Sequence, residues 1–331
     1  MILLLCLHYY LFLKGNAIMF TSRKTALALL VVLLVSLSAN VLAQGLPMDN
    51  FSAGPKPAQE NYIAADEYQD SSISVKIYTD RFADTTYNCA HVKISHPSQL
   101  RTAPAGLIDS AKADFRSSTT SRGRFVANKV NAVIAINGDY HTKPDKCQVV
   151  LRMGKQFRNV ADGTMDLLII DKEGNLSAIE KCTKDDYVAY YNENQDNMYQ
   201  VFCFGPVLCR DGKSVIGEDY LNKSLGSQNS TQRTAICQIG PLEYLLITCE
   251  GPQSQGSKGM TLMEFAGLCE EMGKQHSENG CILAFNLDGG NSSTMIFKGK
   301  NKDGKFAYVK YNCPEIERFL SDILYFATLE E

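Results

Sequence analysis

Cys281-Ile-Leu-Ala-Phe285 leads directly into Asn286-Leu-Asp-Gly-Gly-Asn-Ser-Ser293 toward the end of a 331-residue chain. The first run is continuously apolar, which predicts a buried central strand. The two glycines that follow Asp288 let the backbone turn and approach a ligand closely. Successive amides in such a turn form a nest that suits an anion, but Asp-Gly-Gly is also ordinary turn chemistry. The segment is therefore either a plain turn or a binding site at a strand end.

A second apolar run ends in a similar way. Ala132-Val-Ile-Ala-Ile136 predicts a central strand, and Asn137-Gly138-Asp139 follows it. Asp139 is a candidate acid, base or ligand for sugar hydroxyls, and a hairpin turn is the simpler alternative. We expect His141 to be a surface or partly buried side chain rather than a catalyst.

Two charged residues elsewhere are further candidates. Arg233-Thr234 lies where a long polar loop, residues 217–232, enters a strand. An arginine there can hold phosphate through its planar fork, although a solvated charge at a strand edge is common. Glu264 belongs to the capping box Thr261-Leu-Met-Glu264, which explains it without catalysis. It stays a candidate catalytic group.

The remaining pattern predicts mostly strands joined by tight turns. Two hairpins are predicted, Met165–Ile170 with Leu176–Ile179 and Thr234–Ile239 with Tyr244–Cys249. Thr294–Phe297 and Ala307–Tyr311 form a third predicted pair. Because strands outnumber helices, we expect a single α+β domain with a mixed, mostly antiparallel sheet and a few packed helices.

The N-terminal segment predicts export. A basic stretch at residues 19–24 precedes an apolar run, and Val41-Leu-Ala43 suits a cleavage site before Gln44. Residues 1–43 are therefore a signal peptide or an uncleaved membrane anchor, with possible membrane association. Both alternatives predict a secreted or cell-envelope protein. Residues 44–70 predict a linker, and residues 71–331 the folded domain.

Charge and cysteine content narrow the possible functions. The net charge of -3 argues against nucleic acid as a partner, because a strongly basic surface supplies most of that affinity. Of the 11 cysteines, Cys6 lies in the leader, which leaves 11 − 1 = 10. An even number permits disulfides in an exported chain, but several cysteines lie in apolar runs as small hydrophobes do. No C-x-x-C occurs, which argues against a zinc-ribbon site.

Taken in order, these segments resemble the phosphodiester glycosidase family. The matching pieces are Ala135–Tyr140, Phe204–Leu208 with Asp211-Gly212, Arg233–Ala235, Gly259–Leu262 with Glu264, and Ala284–Gly290 with Ser292-Ser293. Any one piece is weak, and the ordered set is specific. His141 departs from the aromatic residue expected after Asn-Gly-Asp-Tyr.

The resemblance implies hydrolysis of an α-glycosyl phosphodiester on its sugar side, without a metal or other cofactor, on envelope or extracellular glycans. Asp288 would be the nucleophile or the base toward water, and Asp139 the second carboxylate. The other implied substrate-binding residues are Asn137, Gly138, Gly205, Arg233, Thr234, Asn286, Gly289, Gly290, Ser292 and Ser293, with Arg233 and the Gly289-Gly290 turn on the phosphate. Whether the reaction retains or inverts depends on the separation of the carboxylates.

Two other functions fit the same residues. A non-catalytic domain in polysaccharide assembly would bind a glycan or sugar phosphate without turnover. A metal-dependent phosphodiesterase would use Asp139 and Asp288 as metal ligands.

Overall fold

Short apolar runs separated by glycine, proline and polar turns dictate a chain of many strands. The computed structural model describes residues 45–51, 53–107, 115–116, 118–144, 148–300, 303–312 and 317–330. In these ranges the helices are α1 (Gly123–Lys129), α2 (Lys184–Asn194) and α3 (Leu262–His276). The predicted signal or anchor lies outside the described residues.

The strands are numbered in chain order. They are β1 (Glu67–Gln69), β2 (Ile73–Phe82), β3 (Thr85–Ile94), β4 (Leu100–Pro104), β5 (Ser121–Arg122), β6 (Ile134–Asn137), β7 (Val149–Arg152), β8 (Lys155–Asn159), β9 (Asp166–Asp171), β10 (Leu176–Ile179), β11 (Met198–Phe204), β12 (Val207–Arg210), β13 (Lys213–Ser214), β14 (Arg233–Gly240), β15 (Glu243–Cys249), β16 (Leu283–Asn286), β17 (Met295–Lys300), β18 (Phe306–Lys310), β19 (Phe319–Leu320) and β20 (Asp322–Phe326).

These strands form three main sheets and one short ribbon. The largest sheet has the order β1-β2-β3-β15-β14-β16-β12-β13. A second sheet has the order β10-β9-β11-β7-β8, a third β18-β17-β6-β20-β4, and β19 pairs with β5. The α+β class and the mostly antiparallel pairing are confirmed. All three predicted strand pairs are present, as β9–β10, β14–β15 and β17–β18.

One apolar core joins the three sheets. Ile134, Leu168 and Leu246 come from different sheets and belong to the same buried cluster. Each helix then covers the opposite face of one sheet, since separate clusters join α3 to the largest sheet, α2 to the second and α1 to the third. Burial of side chains of this size stabilises the fold by about 1.5–3 kcal/mol each.

Helix α3 forms as its sequence predicts. Thr261 Oγ1 accepts from the backbone N–H of Glu264, and the carboxylate of Glu264 accepts from the N–H of Thr261, which completes the capping box. Gly273 lies inside the helix, which continues to His276. A Cβ at Gly273 would lie 2.6 Å from the backbone N of Cys281, so this glycine lets the next strand approach.

Helix α2 has no counterpart among the elements predicted from sequence. Among its residues only Tyr187 is buried, so no apolar stripe marks it. Its signal was a second capping box, in which Thr183 and Asp186 exchange hydrogen bonds.

Residues 45–70 pack as part of the domain rather than as a loose linker. Arg101 donates to the carbonyls of Pro47 and Asn50 at 2.9 Å each. The side chain of Tyr68 is fully buried, and its strand β1 pairs with β2 at the edge of the largest sheet. These contacts satisfy backbone groups that a linker would leave to solvent.

The described cysteines are small buried side chains. The described ranges contain eight buried cysteines: Cys89, Cys182, Cys203, Cys209, Cys237, Cys249, Cys269 and Cys281. Burial raises the pKa of Cys203 to about 11 and that of Cys269 to about 12, which suppresses their thiolate forms. In the part of the chain that the structure describes, no helix is both long and apolar enough to cross a bilayer.

Candidate active site

The ends of strands from two sheets meet at one point. Leu287 N–H donates to the carbonyl of Thr234 at 2.8 Å within the largest sheet. Asp288 N–H then donates to the carbonyl of Gly138 at 3.2 Å, which joins the end of β16 to the end of β6. Gly138 N–H in turn donates to the carbonyl of Asp322 at 3.3 Å. Three chain segments that are far apart in sequence are therefore held side by side.

The side chain of Asn137 locks this junction. Its Oδ1 accepts from Thr234 Oγ1 at 2.9 Å and from Thr294 N–H at 3.0 Å. Its Nδ2 donates to the carbonyl of Asp288 at 2.7 Å. Because Asn137 is 2% exposed, these bonds are shielded from water and strong. Asn137 thus fixes the backbone that carries Asp288.

A narrow cavity lies at the junction. Its lining residues come from all three segments: Asn137, Gly138, Tyr140, Asp288, Ser292, Leu320, Ser321 and Asp322. Its volume is about 10 Å³, which is room for a single water molecule. Asp288 is half-buried beside it, and its Oδ1 accepts from Gly289 N–H at 2.9 Å. Two carboxylates, those of Asp288 and Asp322, therefore line one small cavity.

Behind the cavity, Asp322 belongs to a buried ion-pair network. Arg152 Nη2 lies 3.2 Å from Asp322 Oδ2 and 2.9 Å from Asp139 Oδ1. His141 Nδ1 lies 3.7 Å from Asp322 Oδ2, and Asp139 Oδ2 accepts from Cys203 N–H at 2.8 Å. The guanidinium of Arg152 also lies over the ring of Phe202, 4.0 Å from its centroid. One buried cation thus joins two carboxylates.

The two carboxylates of this network have opposite pKa shifts. Burial tends to raise the pKa of Asp322, but His141 and Arg152 outweigh it, so the pKa lies below the usual range. Burial dominates at Asp139 and raises its pKa despite Arg152. Asp322 is therefore ionised at neutral pH. Its Oδ1 is buried and accepts no hydrogen bond from the described residues.

The same network bears on metal binding. Ligand atoms of Asp139, His141 and Asp322 lie within 4.8 Å of one another, close enough to share a cation. Arg152 already contacts both carboxylates and supplies a positive charge there. Of the alternative ligand pair, Asp288 lines the cavity and Asp139 is absent from its described lining.

Comparison with known proteins identifies the family of this chain. The model of the phosphodiester glycosidase family matches residues 130–327, more than half of the chain. The chain belongs to the phosphodiester glycosidase family. The match covers Asn137, Asp288 and Asp322.

A solved catalytic domain shares the fold. The catalytic domain of zebrafish N-acetylglucosamine-1-phosphodiester alpha-N-acetylglucosaminidase, auto-inhibited by its pro-peptide, is 18% identical. It has a TM-score of 0.57, with 80% of this chain and 86% of that chain covered. A hypothetical protein from Synechocystis is 13% identical with a TM-score of 0.47, over 77% of this chain and 62% of that chain. No curated protein matches.

Among the residues predicted from sequence, the cavity gathers Asn137, Gly138, Asp288 and Ser292. Thr234 and Ser293 lie beneath it. Thr234 Oγ1 donates to Asn137 Oδ1 and also lies 2.9 Å from Ser293 Oγ, and Ser293 Oγ lies 2.9 Å from the carbonyl oxygen of Arg233. Their hydroxyls therefore support the strand ends.

Arg233, which was predicted to hold phosphate, bonds to the protein itself in this structure. Its guanidinium is buried and donates to four backbone carbonyls, those of Leu225, Gly226, Asn229 and Met260, at 2.8 to 3.2 Å. Four of the five N–H donors of an arginine are then occupied. Burial lowers its pKa to about 10. Arg233 holds the polar loop 217–232 in place.

The predicted anion nest at Gly289-Gly290 is also occupied by the protein itself. Gly289 N–H donates to Asp288 Oδ1, and Gly290 N–H donates to the carbonyl of Gln232 at 2.8 Å. A Cβ at Gly289 would lie 2.8 Å from that carbonyl oxygen, which explains the glycine. The amide of Gly289 therefore orients Asp288, and the amide of Gly290 fixes the turn against Gln232.

Three more predicted residues lie outside the lining of the cavity. The carbonyl of Gly205 accepts from Asn286 Nδ2 at 2.7 Å, which fixes the two residues against each other. Asn286 Oδ1 is buried and accepts no hydrogen bond from the described residues. The carboxylate of Glu264 is used in its capping box. His141 is 1% exposed, so the prediction of a surface or partly buried side chain is wrong.

Asp322, Arg152 and Tyr140 are not among the site residues predicted from sequence. The sequence did contain an indication of Asp322. It begins the buried strand β20, and Asp139 and Asp288 likewise lie at the ends of buried strands. Arg152 is the last residue of β7, whose other residues are apolar, so the pattern indicates only a buried strand. Tyr140 has a left-handed backbone, with φ +69, an uncommon conformation that often marks functional sites.

Proposed function

We propose that this chain is a hydrolase that cleaves the sugar-side bond of a glycosyl phosphodiester, with N-acetylglucosamine-1-phosphodiesters as the model substrates. One observation supports this most: Asp288 and Asp322 line the same cavity. Glycoside hydrolysis uses such a pair of carboxylates around an oxocarbenium-like transition state. The name of the zebrafish relative supplies the substrate class.

In this mechanism Asp288 is the base and the cavity holds the attacking water. The room for one water beside Asp288 supports this role. Asp322, kept ionised by Arg152 and His141, stabilises the positive charge that develops on the sugar. The bond from the anomeric carbon to the phosphate oxygen breaks, and the phosphate leaves as an anion. Because that oxygen is already acidic, no strong general acid is needed.

Phosphate recognition falls to a pair of cations near Tyr140, because Arg233 is occupied. Arg318 Nη2 donates to Tyr140 Oη at 3.0 Å, and Lys143 Nζ lies 5.9 Å from the centre of the same ring. Both cations are exposed, and Tyr140 lines the cavity. An arginine fork there can bind a phosphate that projects from the cavity.

The test is release of free sugar from UDP-N-acetylglucosamine and from synthetic glycosyl phosphodiesters by residues 44–331. We expect Asp288→Asn and Asp322→Asn each to lower kcat by about 10²- to 10⁴-fold. Asp185→Asn on the exposed first turn of α2 is the matched control and should keep full activity. A base acting on water predicts inversion at the anomeric carbon, which NMR of the fresh product reads directly.

The other outcomes separate the alternatives. Binding without release by the wild type would favour the non-catalytic glycan-binding domain. Activity that disappears on chelation and returns with a divalent cation would favour the metal-dependent phosphodiesterase. A fully active Asp288→Asn variant would refute the proposed mechanism.

A separate variant tests the phosphate contact. Arg318→Gln should raise KM for phosphodiesters with little change in kcat, because it removes binding that ground state and transition state share. Arg210→Gln, at an arginine whose side chain is 41% exposed and pairs with Glu180, is the control. An unchanged KM for Arg318→Gln would remove Arg318 from the phosphate site.

We also propose that the protein acts outside the cytosol, on envelope or extracellular glycans. The support is the basic, apolar and small-residue pattern of residues 19–43. Mass spectrometry of the protein from its host should find an N-terminus at Gln44 if the signal is cleaved. Retention of residues 19–43 in a membrane fraction would indicate an anchor instead, and a full-length cytosolic protein would refute export.

A further inference from the structure

A large groove on this protein is separate from the carboxylate cavity. It runs between residues 56–59, helix α1 and strands β17 and β18. Its volume is about 600 Å³, within the usual size range of ligand sites. None of its lining residues lines the carboxylate cavity. The groove therefore needs its own explanation.

The charges in the groove have one sign. Lys56, Arg124 and Lys298 line it, and none of its described lining residues carries a carboxylate. Arg124 is neutralised by Glu317, whose Oε2 lies 3.0 Å from its Nε. Among the described residues no carboxylate pairs with Lys56 or Lys298. Two lysine charges thus face the groove in a protein whose net charge is -3.

The position of Lys298 makes this charge costly without a ligand. The side chain is half-buried in β17, and burial, followed by the charge of Lys56, lowers its pKa. Its Nζ lies 4.9 Å from the ring centre of Tyr308 and 5.9 Å from that of Phe306, which hold it in place. An anion between the two lysines would relieve their repulsion.

The remaining walls suit a sugar. Phe125, on α1, is 47% exposed, an unusual state for a large aromatic side chain. Gln59 and Asn128 add exposed amide donors and acceptors. An exposed aromatic face together with amides and cations is a surface for a charged, hydroxyl-rich chain rather than for an apolar one.

We infer that this groove binds an anionic saccharide chain. The lysines pair with carboxylate or phosphate groups on the chain, and the ring of Phe125 stacks on a sugar face. The groove is linked to the carboxylate cavity through two adjacent residues. Glu317 pairs with Arg124 in the groove, and Arg318 bonds to Tyr140 at the cavity. A polymer held in the groove would stay close to the cavity.

The test measures binding of a galacturonic acid octamer to the folded protein by calorimetry, with neutral malto-octaose and a glutamate octapeptide as comparison ligands. We expect the acidic sugar to bind, neutral sugar to bind much more weakly, and added salt to weaken binding. Lys56→Glu, a change at an exposed residue, and Lys298→Gln should each lower the affinity about tenfold or more. Lys155→Gln, at an exposed position of β8, should not.

Phe125→Ala distinguishes a sugar from any other anion. This variant should bind the galacturonic acid octamer more weakly and bind the glutamate octapeptide as wild type does. The inference is overturned if the octamer does not bind, if it binds Lys56→Glu as tightly as wild type, or if the peptide binds equally well and Phe125→Ala changes nothing. Asp288→Asn should bind the octamer normally, so failure of the proposed hydrolysis and failure of this site are distinguishable.

Discussion

Gly138 lies so close to Asp322 that a Cβ at position 138 would be 2.3 Å from Asp322 Oδ1. The φ of Gly138 is not left-handed, so the glycine is required by this approach rather than by its backbone conformation. Asp322 Oδ1 is also the oxygen that accepts no hydrogen bond from the described residues. The bare backbone of Gly138 therefore sets the position of a carboxylate at the cavity.

Gly138→Ala should displace the Asp322 carboxylate and lower kcat. We expect a loss of about 10²-fold, as for a small misplacement of a reacting group. Gly299→Ala is the matched control, because its Cβ would meet Val309 at 3.6 Å, an ordinary contact. Steady-state kinetics with thermal melts of both variants measures the effect. Full activity in Gly138→Ala would show that the position of Asp322 does not matter to turnover.

Asp322→Asn should make stability less dependent on pH in acid. The folded-state pKa of Asp322 is lowered, so its ionised form stabilises the fold above about pH 4, its ordinary pKa, and that contribution is lost as pH falls through the folded-state value. Breaking a buried pair costs about 3–5 kcal/mol. Urea unfolding at neutral pH and below pH 4 should show that the difference between wild type and variant shrinks in acid. A difference that grows there would contradict the lowered pKa.

Arg233→Met should destabilise the protein without a selective effect on phosphate binding. The change leaves four buried carbonyls without their donor, and each such group costs about 1–3 kcal/mol. Arg210→Met, at an exposed pair, should cost at most about 1 kcal/mol. Denaturant unfolding measures both. A raised KM at unchanged stability would return Arg233 to the phosphate site.

Glu264→Gln should leave both kcat and the melting temperature close to wild type, because glutamine also completes a capping box. Thr261→Ala removes the cap and should cost about 1 kcal/mol of stability at unchanged kcat. Kinetics and melts of the two variants separate capping from catalysis. A tenfold loss of kcat in Glu264→Gln alone would assign the carboxylate a catalytic role.

Local patterns determined much of this protein in advance. The apolar runs before Asn137 and Asn286 predicted buried strands, the turns predicted the hairpins, and Thr261 with Glu264 predicted the start of α3. These features depend on residues within a few positions of one another, so the local sequence is enough to predict them. The same patterns identified Asn137 and Asp288 as residues at strand ends.

Tertiary structure alone decided which polar groups remain available for a substrate. Arg233 and the amides of Gly289 and Gly290 looked suitable for phosphate, yet backbone and carboxylate oxygens of the protein occupy them. Arg152 and Asp322 are 170 residues apart and pair only because β7 and β20 come from different sheets packed around one core. A donor's partners and a carboxylate's pKa depend on three-dimensional neighbours, which local sequence patterns do not encode.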